Sequence, residues 1–125
     1  SDQLEQAIMN NKLDFALIEG ISHNSAIHTE EYMEDCLCII ASPKEGFKQG
    51  QRLSLEQFSQ QHFLLREPGS GTRDVFDKAA ANAGISVKPI WEAASTTALV
   101  NAVINGLGIA GAWFGSYTRC RRDGF

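Results

Sequence analysis

The octapeptide REPGSGTR, at positions 66–73, holds the residues best suited to bind a small molecule. It combines a predicted turn, a backbone that permits close approach and two hydroxyl groups, supplied by Pro68, Gly69, Ser70, Gly71 and Thr72. The loop joins a predicted strand to a predicted helix, and ligands of α/β proteins gather at such junctions because the first N–H groups of the helix are unpaired. Composition alone leaves a purely structural turn open. The alternative is a loop that binds a small anion or the polar end of an uncharged ligand.

Nucleotide-binding and catalytic interpretations fit this loop poorly. A P-loop requires a lysine at a fixed place and the dinucleotide fingerprint requires three spaced glycines, whereas this loop has no such lysine and only two glycines. Ser70 lacks the Gly-x-Ser-x-Gly context of a hydrolase nucleophile. No spacing assigns it a base among the three histidines, for which we expect solvated or capping roles: His23, His28 and His62. We therefore predict no catalytic residue, metal or cofactor.

A second polar cluster, AASTTALV, begins at Ala93 and also lies where a predicted strand meets a predicted helix. Its hydroxyl groups belong to Ser95, Thr96 and Thr97. Hydroxyl side chains cap helices without any ligand, so simple N-capping and ligand binding both remain open here. The two junctions could face one crevice from neighbouring strands.

The two arginines of the first loop, Arg66 and Arg73, could each hold an acidic ligand. Arg73 could equally face a carboxylate of its own domain. The candidate ligand-binding residues are therefore those of the two junctions: Arg66, Gly69, Ser70, Gly71, Thr72, Ser95 and Thr96.

The elements that position these residues alternate along the chain. Helical periodicity and capping signals predict helices that begin at Asp2 (with an Asp2–Glu5 capping box), at Ser54, at Arg73 (running to Ala83) and within Ser95–Thr97. Apolar runs predict strands in DFALIEG, in Glu34–Pro43, in Phe63–Arg66, in VKPIWEA (with Pro89 indicating an edge or a bulge) and in LGIAGAW. Strands that alternate with helices form βαβ units, so we predict an α/β fold with parallel strand pairing.

Composition excludes several classes of protein. The 125 residues suit one domain at most, and 11 basic against 15 acidic residues give a net charge of −4, which disfavours nucleic acid binding by this surface. No apolar stretch could span a bilayer and the first residues lack a secretion signal, so a cytoplasmic protein is expected. The three cysteines have neither disulfide nor metal spacing; Cys36 and Cys38 are expected to be small buried residues on one face of a strand.

Three segments together resemble a known family. FLLREPGSGTRDVFDKAAANAGI, EAASTTALVNAVINGLGIA and the earlier DFALIEG are similar, in order and spacing from Leu4 to Ala110, to the effector-binding domain of LysR-type transcriptional regulators. The resemblance implies a fold of the periplasmic-binding-protein type: a parallel-rich sheet with flanking helices, in two subdomains with a small effector between them. It implies effector contacts from Ser70 and Thr72 on the first loop and from Ser95 and Thr96 on the second.

The resemblance also carries expectations about boundaries. Residues 1–34 correspond to a partial first subdomain and its connection, residues 35–110 to the second subdomain, and residues 111–125 to an atypical tail, because the family's usual continuation into proline is missing. The first strand of the family, with its Ser/Thr-rich loop, and the helix-turn-helix are not found in this sequence. We therefore expect these 125 residues to bind an effector weakly by themselves.

The resemblance implies a sensing module without chemistry of its own, which dimerises or tetramerises and controls DNA binding through a helix-turn-helix outside this sequence. The effector is expected to be polar or anionic. Two other functions remain open at this point. A solute-binding protein of transport shares the two-lobed fold, as does a small-molecule enzyme of the prephenate or porphobilinogen type, for which no catalytic constellation can be assembled.

Overall fold

The computed structural model describes residues 1–113, which contain one four-stranded sheet. Its strands are β1 (Leu37–Ile40), β2 (Phe63–Arg66), β3 (Trp91–Ala93) and β4 (Ile109–Trp113), in the spatial order β1-β4-β2-β3. Strand β2 pairs in parallel with both β3 and β4, while β1 runs antiparallel to β4. The predicted α/β fold with parallel pairing is confirmed, and the antiparallel pair at one edge is a departure from it. The strand predicted in VKPIWEA begins only at Trp91, so Pro89 lies before it; β3 is the other edge strand of the described sheet, one of the two positions that Pro89 indicated.

The helices are α1 (Asp2–Met9), α2 (Leu55–Ser59), α3 (Gly71–Asn82) and α4 (Thr96–Ile104). Ser54 begins α2 with a full capping box: its Oγ accepts from the backbone N–H of Gln57, and the Gln57 side chain accepts from the Ser54 N–H. Helix α3 begins two residues earlier than predicted and ends just before Gly84, whose φ of +73° stops it. Within residues 1–113 no helix is long and apolar enough to cross a membrane.

The two longer helices on the sheet cover its opposite faces. Alternate residues of a strand point to opposite sides, so Leu64 packs with Leu99 and Val103 of α4, whereas its neighbours Phe63 and Leu65 pack with Phe76 of α3. The aromatic rings of Phe63 and Phe76 have centroids 5.6 Å apart. This arrangement fixes β2 between two apolar layers, and it holds the loop after β2 at a defined place above the sheet.

The predicted strand in DFALIEG is wrong for the described structure. Residues 13–20 are irregular, and two of their large apolar side chains are mostly in solvent: Phe15 is 79% and Leu17 is 66% exposed. A strand needs a neighbouring strand to pair its backbone groups, and none of the described strands lies beside this segment. The apolar run has the composition of a strand, but no described strand lies beside it to pair with its backbone.

Two smaller predictions at the amino-terminal end and in β1 are also corrected. Ser1, not Asp2, is the N-cap of α1, and no side chain caps that helix, so the Asp2–Glu5 capping box is not formed. Cys36 lies outside the short strand β1 and is exposed. Cys38 is half-buried, and burial raises the pKa of its thiol, which donates to the carbonyl oxygen of Ala112 at 3.3 Å.

Strand β4 extends to Trp113, three residues past the expected end of the second subdomain at residue 110. All five of its residues are buried, and Leu37 to Ile40 pair with its last four. Residues 111–113 are thus part of the sheet. The expectation of an atypical tail otherwise concerns residues 114–125, which lie outside the described residues.

Candidate functional site

The loop after β2 folds into a tight turn that leads directly into α3. The N–H of Ser70 donates to the carbonyl oxygen of Glu67 at 3.2 Å, and Gly69 between them has a φ of +88°. Proline followed by a glycine of positive φ is the signature of a type II turn, which explains the Pro68-Gly69 pair. The turn places Ser70 at the N-cap of α3 and the two following residues in its first turn.

Ser70 is 4% exposed, yet its hydroxyl caps nothing. An N-cap serine normally accepts from an N–H of the first helical turn, as Ser95 does at the start of α4, where its Oγ accepts from Ala98 N at 3.3 Å. Among the described residues the Ser70 hydroxyl has no hydrogen-bond partner. This serine, nearly buried at the N-terminus of a twelve-residue helix, stays a candidate for ligand contact.

The adjacent Gly71 is required by a close backbone approach. A Cβ added there would lie 1.8 Å from the carbonyl oxygen of Glu19, and one added at Gly20 would lie 3.3 Å from the carbonyl oxygen of Gly71. The end of the irregular segment 13–20 therefore rests directly on the first turn of α3. The sequence predicted close approach at Gly71, but the occupant is the protein's own backbone.

Thr72 is 3% exposed and makes two side-chain hydrogen bonds. Its Oγ1 donates to Oε2 of Glu19 at 2.8 Å and accepts from Nε1 of Trp113 at 2.9 Å. The hydroxyl thereby links α3 to the end of β4 and to the segment that covers the helix N-terminus. Neither Glu19 nor Trp113 was among the predicted site residues, and both lie far from Thr72 in the chain.

Arg66 joins the two polar junctions. Its Nη1 donates to Oγ1 of Thr96 at 3.0 Å, while its Nε donates to Oε2 of Glu67 at 2.8 Å. Because Thr96 begins α4 and β2 pairs with β3, the two junctions follow neighbouring strands. That they face one ligand crevice stays a prediction. The guanidinium of Arg66 is thus already paired with Glu67 and Thr96 in this structure. Its hydrogen bond holds the pKa of the Glu67 carboxyl below the ordinary value of 4.5.

Arg73 faces carboxylates of its own domain, one of the two roles left open by the sequence. Its Nη1 donates to Oε1 of Glu92 at 2.7 Å and to the carbonyl oxygen of Arg66 at 2.8 Å, and its Nε donates to Oδ2 of Asp77 at 2.9 Å. The side chain is 13% exposed. It thus ties α3 to β2 and β3, which is a structural role.

Loss of Arg66 is expected to change both stability and its pH dependence. Arg66→Met should cost about 1 kcal/mol of unfolding free energy, since it loses one hydrogen bond to a hydroxyl and a partly exposed ion pair that solvent screens. The lowered pKa of Glu67 contributes stability that is present above the carboxyl's unfolded value and is lost as pH falls through the folded value. Urea unfolding between pH 3 and 7 should therefore show a shallower acid loss for the variant than for the wild type; parallel curves would contradict this.

The other candidate groups lie elsewhere. His23, His28 and His62 are exposed, the first 3.7 Å from Asp74 and the second 3.1 Å from Glu30. Across residues 1–113, no group of three or more His, Cys, Asp or Glu side chains could hold a metal ion. The candidate site therefore consists of the first turn of α3, the adjoining start of α4, and the Glu19 segment that rests on the former.

Comparison with known proteins identifies the family. Residues 1–112 match the family model of the LysR substrate binding domain. The HTH-type transcriptional regulator YeiE of Escherichia coli K12 is 33% identical over 110 residues, which cover 88% of this chain and 37% of that protein.

Two solved structures share the fold. The regulatory domain of Synechocystis PCC6803 CcmR in complex with 2-PG has a TM-score of 0.80 at 20% identity, over 91% of this chain and 55% of that one. The effector binding domain of QuiR in complex with shikimate has a TM-score of 0.77 at 18% identity, over 90% and 54%. The chain thus spans about a third of the curated regulator and about half of each solved domain. On the match of residues 1–112, the chain belongs to the LysR substrate-binding domain family.

Proposed function

We propose that this chain is the effector-sensing part of a LysR-type transcriptional regulator, and that its effector contacts the first turn of α3. The observation that carries the proposal is the Ser70 hydroxyl, which is nearly buried and has no partner among the described residues. Backbone N–H groups of a helix N-terminus lie beside it, and they favour the oxygen atoms of a ligand. Family membership favours a regulator over a transport solute-binding protein or an enzyme.

The proposed mechanism is a population shift. A small molecule that binds one arrangement of the domain more tightly biases the equilibrium towards it by its differential affinity, and no bond of the ligand is broken. The full regulator, in the cytoplasm, would contact DNA through a helix-turn-helix outside this sequence. Within the chain we propose residues 1–34 as part of a first subdomain and residues 35–113, up to the end of β4, as the second, with residues 114–125 as a tail.

The effector is proposed to be a small polar molecule. Two proteins of the same fold are seen with shikimate and with 2-PG. Arg66 and Thr96 adjoin the Ser70 loop, so a ligand that spans both junctions would meet Ser70, the α3 N–H groups and the start of α4. Because the chain spans only about half of each solved domain of this fold, binding by these 125 residues alone is proposed to be weak.

A homo-oligomer is also part of the proposal, and an apolar groove supports it. The groove has a volume of about 260 Å³ and lies between the β1 edge, α2 and α3; its residues include Leu37, Ile39, Leu55, Val75, Ala79 and Ala83. Ala79 of α3 and Ala83 at its end line this groove and are exposed. A second copy that covered it would bury these side chains.

A direct test follows the backbone amides of the ¹⁵N-labelled chain by NMR during titration with small polar metabolites, beginning with shikimate and 2-PG. We expect a ligand to shift the amides of Ser70, Gly71 and Thr72 saturably. Ser70→Ala should weaken its binding at least about fivefold, which corresponds to the loss of one hydrogen bond of about 1 kcal/mol. The thermal stability of the variant should change little, because the hydroxyl has no hydrogen-bond partner within residues 1–113.

Ser54→Ala is the matched control. It removes an N-cap hydroxyl that does have a partner, so it should lower stability by about 1 kcal/mol and leave ligand affinity unchanged. The proposal fails if no metabolite shifts the three amides, or if binding is equally tight in Ser70→Ala.

A further inference from the structure

The hydrogen bonds of Thr72 restrict what a ligand can do at this loop. A threonine hydroxyl has one proton and two lone pairs. The proton is given to Oε2 of Glu19 at 2.8 Å, and one lone pair accepts from Nε1 of Trp113 at 2.9 Å. A ligand that only accepts hydrogen bonds finds no donor on Thr72 unless Glu19 is displaced. One lone pair of Thr72 and the second oxygen of Glu19 remain, and both are acceptors.

The negative charge of Glu19 also disfavours a ligand that only accepts hydrogen bonds, above all an anionic one. The backbone of this residue rests on Gly71, so its carboxylate lies at the N-terminal turn of α3, where the helix dipole stabilises a negative charge. Asp74 adds a second acidic side chain in the same turn. The nearby arginines do not neutralise Glu19, since Arg66 pairs with Glu67 and Arg73 pairs with Asp77 and Glu92.

We infer that Glu19 is a specificity-determining residue: its carboxylate occupies the anion-favouring position beside Thr72 and excludes oxyanions from the first turn of α3. This inference rests on the proposed effector site and narrows the class of ligand that it takes. The part of the effector that meets Ser70 and Thr72 carries a hydrogen-bond donor, a hydroxyl or an ammonium group, that Thr72 and Glu19 accept. Any anionic group of the effector lies away from this turn.

Trp113 supplies a local reporter for the test. Its indole N–H contacts the Thr72 hydroxyl, and the sequence has only one other tryptophan, so Trp91→Phe assigns the two indole signals. The ¹⁵N-labelled wild type and Glu19→Gln are titrated with sodium sulfate at constant ionic strength. We expect no saturable shift of the Trp113 indole or the Gly71 and Thr72 amides in the wild type. In Glu19→Gln we expect a saturable shift. The affinity of this variant for sulfate should exceed that of the wild type on the order of tenfold, because the substitution removes a negative charge close to a doubly charged anion.

Asp74→Asn is the matched control. It removes one negative charge from the same helix turn but touches His23, not Thr72. We expect it to bind sulfate much more weakly than Glu19→Gln. Three outcomes overturn the inference: saturable sulfate binding at these atoms in the wild type, none in Glu19→Gln, or an equal gain in Asp74→Asn.

The sulfate titration does not depend on knowing the effector. If the sulfate titration contradicts the inference while Ser70→Ala still weakens the binding of a metabolite, the proposed effector site stands and an anionic group of the effector is allowed at the first turn of α3. If Ser70→Ala leaves metabolite binding unchanged while Glu19→Gln gains sulfate, the exclusion by Glu19 is real and the effector binds elsewhere. The two failures are thus distinguishable.

Discussion

Replacing Arg73 with methionine should lower the free energy of unfolding by about 2–3 kcal/mol. Burial alone would lower the pKa of this guanidinium, but the hydrogen bonds to Glu92 and Asp77 outweigh burial and raise it, so the group is charged in the folded chain. Its removal leaves the carbonyl oxygen of Arg66 without this donor and leaves Glu92 without its cation. The side chains of Asp77 and Glu92 are more than a third exposed. Solvent therefore screens both ion pairs, and the expected loss of stability is smaller than for a fully buried pair.

Urea unfolding of purified variants measures this loss. Arg52→Met is the matched control, because Arg52 is exposed, and its change should stay within about 0.5 kcal/mol. Arg73→Lys should fall between the wild type and Arg73→Met, since an ammonium keeps the charge but cannot reach three acceptors with a planar fork. If Arg73→Met proves as stable as Arg52→Met, the arginine does not tie α3 to the sheet.

The local features of the candidate site could be predicted from the sequence. The Pro68-Gly69 turn, the start of α3 near it and the caps at Ser54 and Ser95 follow from residue types within a few positions of each other. The adjacency of the two junctions follows from the alternation of strands and helices. Such signals are short-range, and the physical forces behind them act within one turn or one helix end.

The features that the sequence did not predict depend on distant partners. Thr72 looked like a ligand-binding hydroxyl, but Glu19 and Trp113, 53 and 41 residues away, take its proton and one of its lone pairs. The segment DFALIEG has the composition of a strand, and only the absence of a neighbouring strand in the described residues leaves it unpaired. A hint was present in the Glu19-Gly20 pair at the end of that run, where a charged residue follows apolar ones. Nothing local indicated that it would reach α3.

The sign of the stability change for Gly71→Ala tests whether the Glu19 segment rests on α3. In an open helix this substitution stabilises, because alanine exceeds glycine in helix propensity by about 1 kcal/mol. Here the added Cβ would lie 1.8 Å from the Glu19 carbonyl oxygen, which is backbone and cannot rotate away. We therefore expect a loss of about 3 kcal/mol by overpacking, or displacement of residues 18–20 with a shift of the Trp113 indole signal as Thr72 loses Glu19.

Gly84→Ala separates this clash from ordinary glycine strain. Gly84 has a φ of +73° and open space around its Cβ position, so alanine there should cost about 1 kcal/mol from the left-handed backbone alone and leave the indole signal unchanged. A Gly71→Ala protein that is more stable than the wild type, with an unmoved Trp113 signal, would mean that the Glu19 segment is not packed on α3. In that case the Thr72 proton would be free for a ligand, and oxyanions would no longer be excluded from this turn.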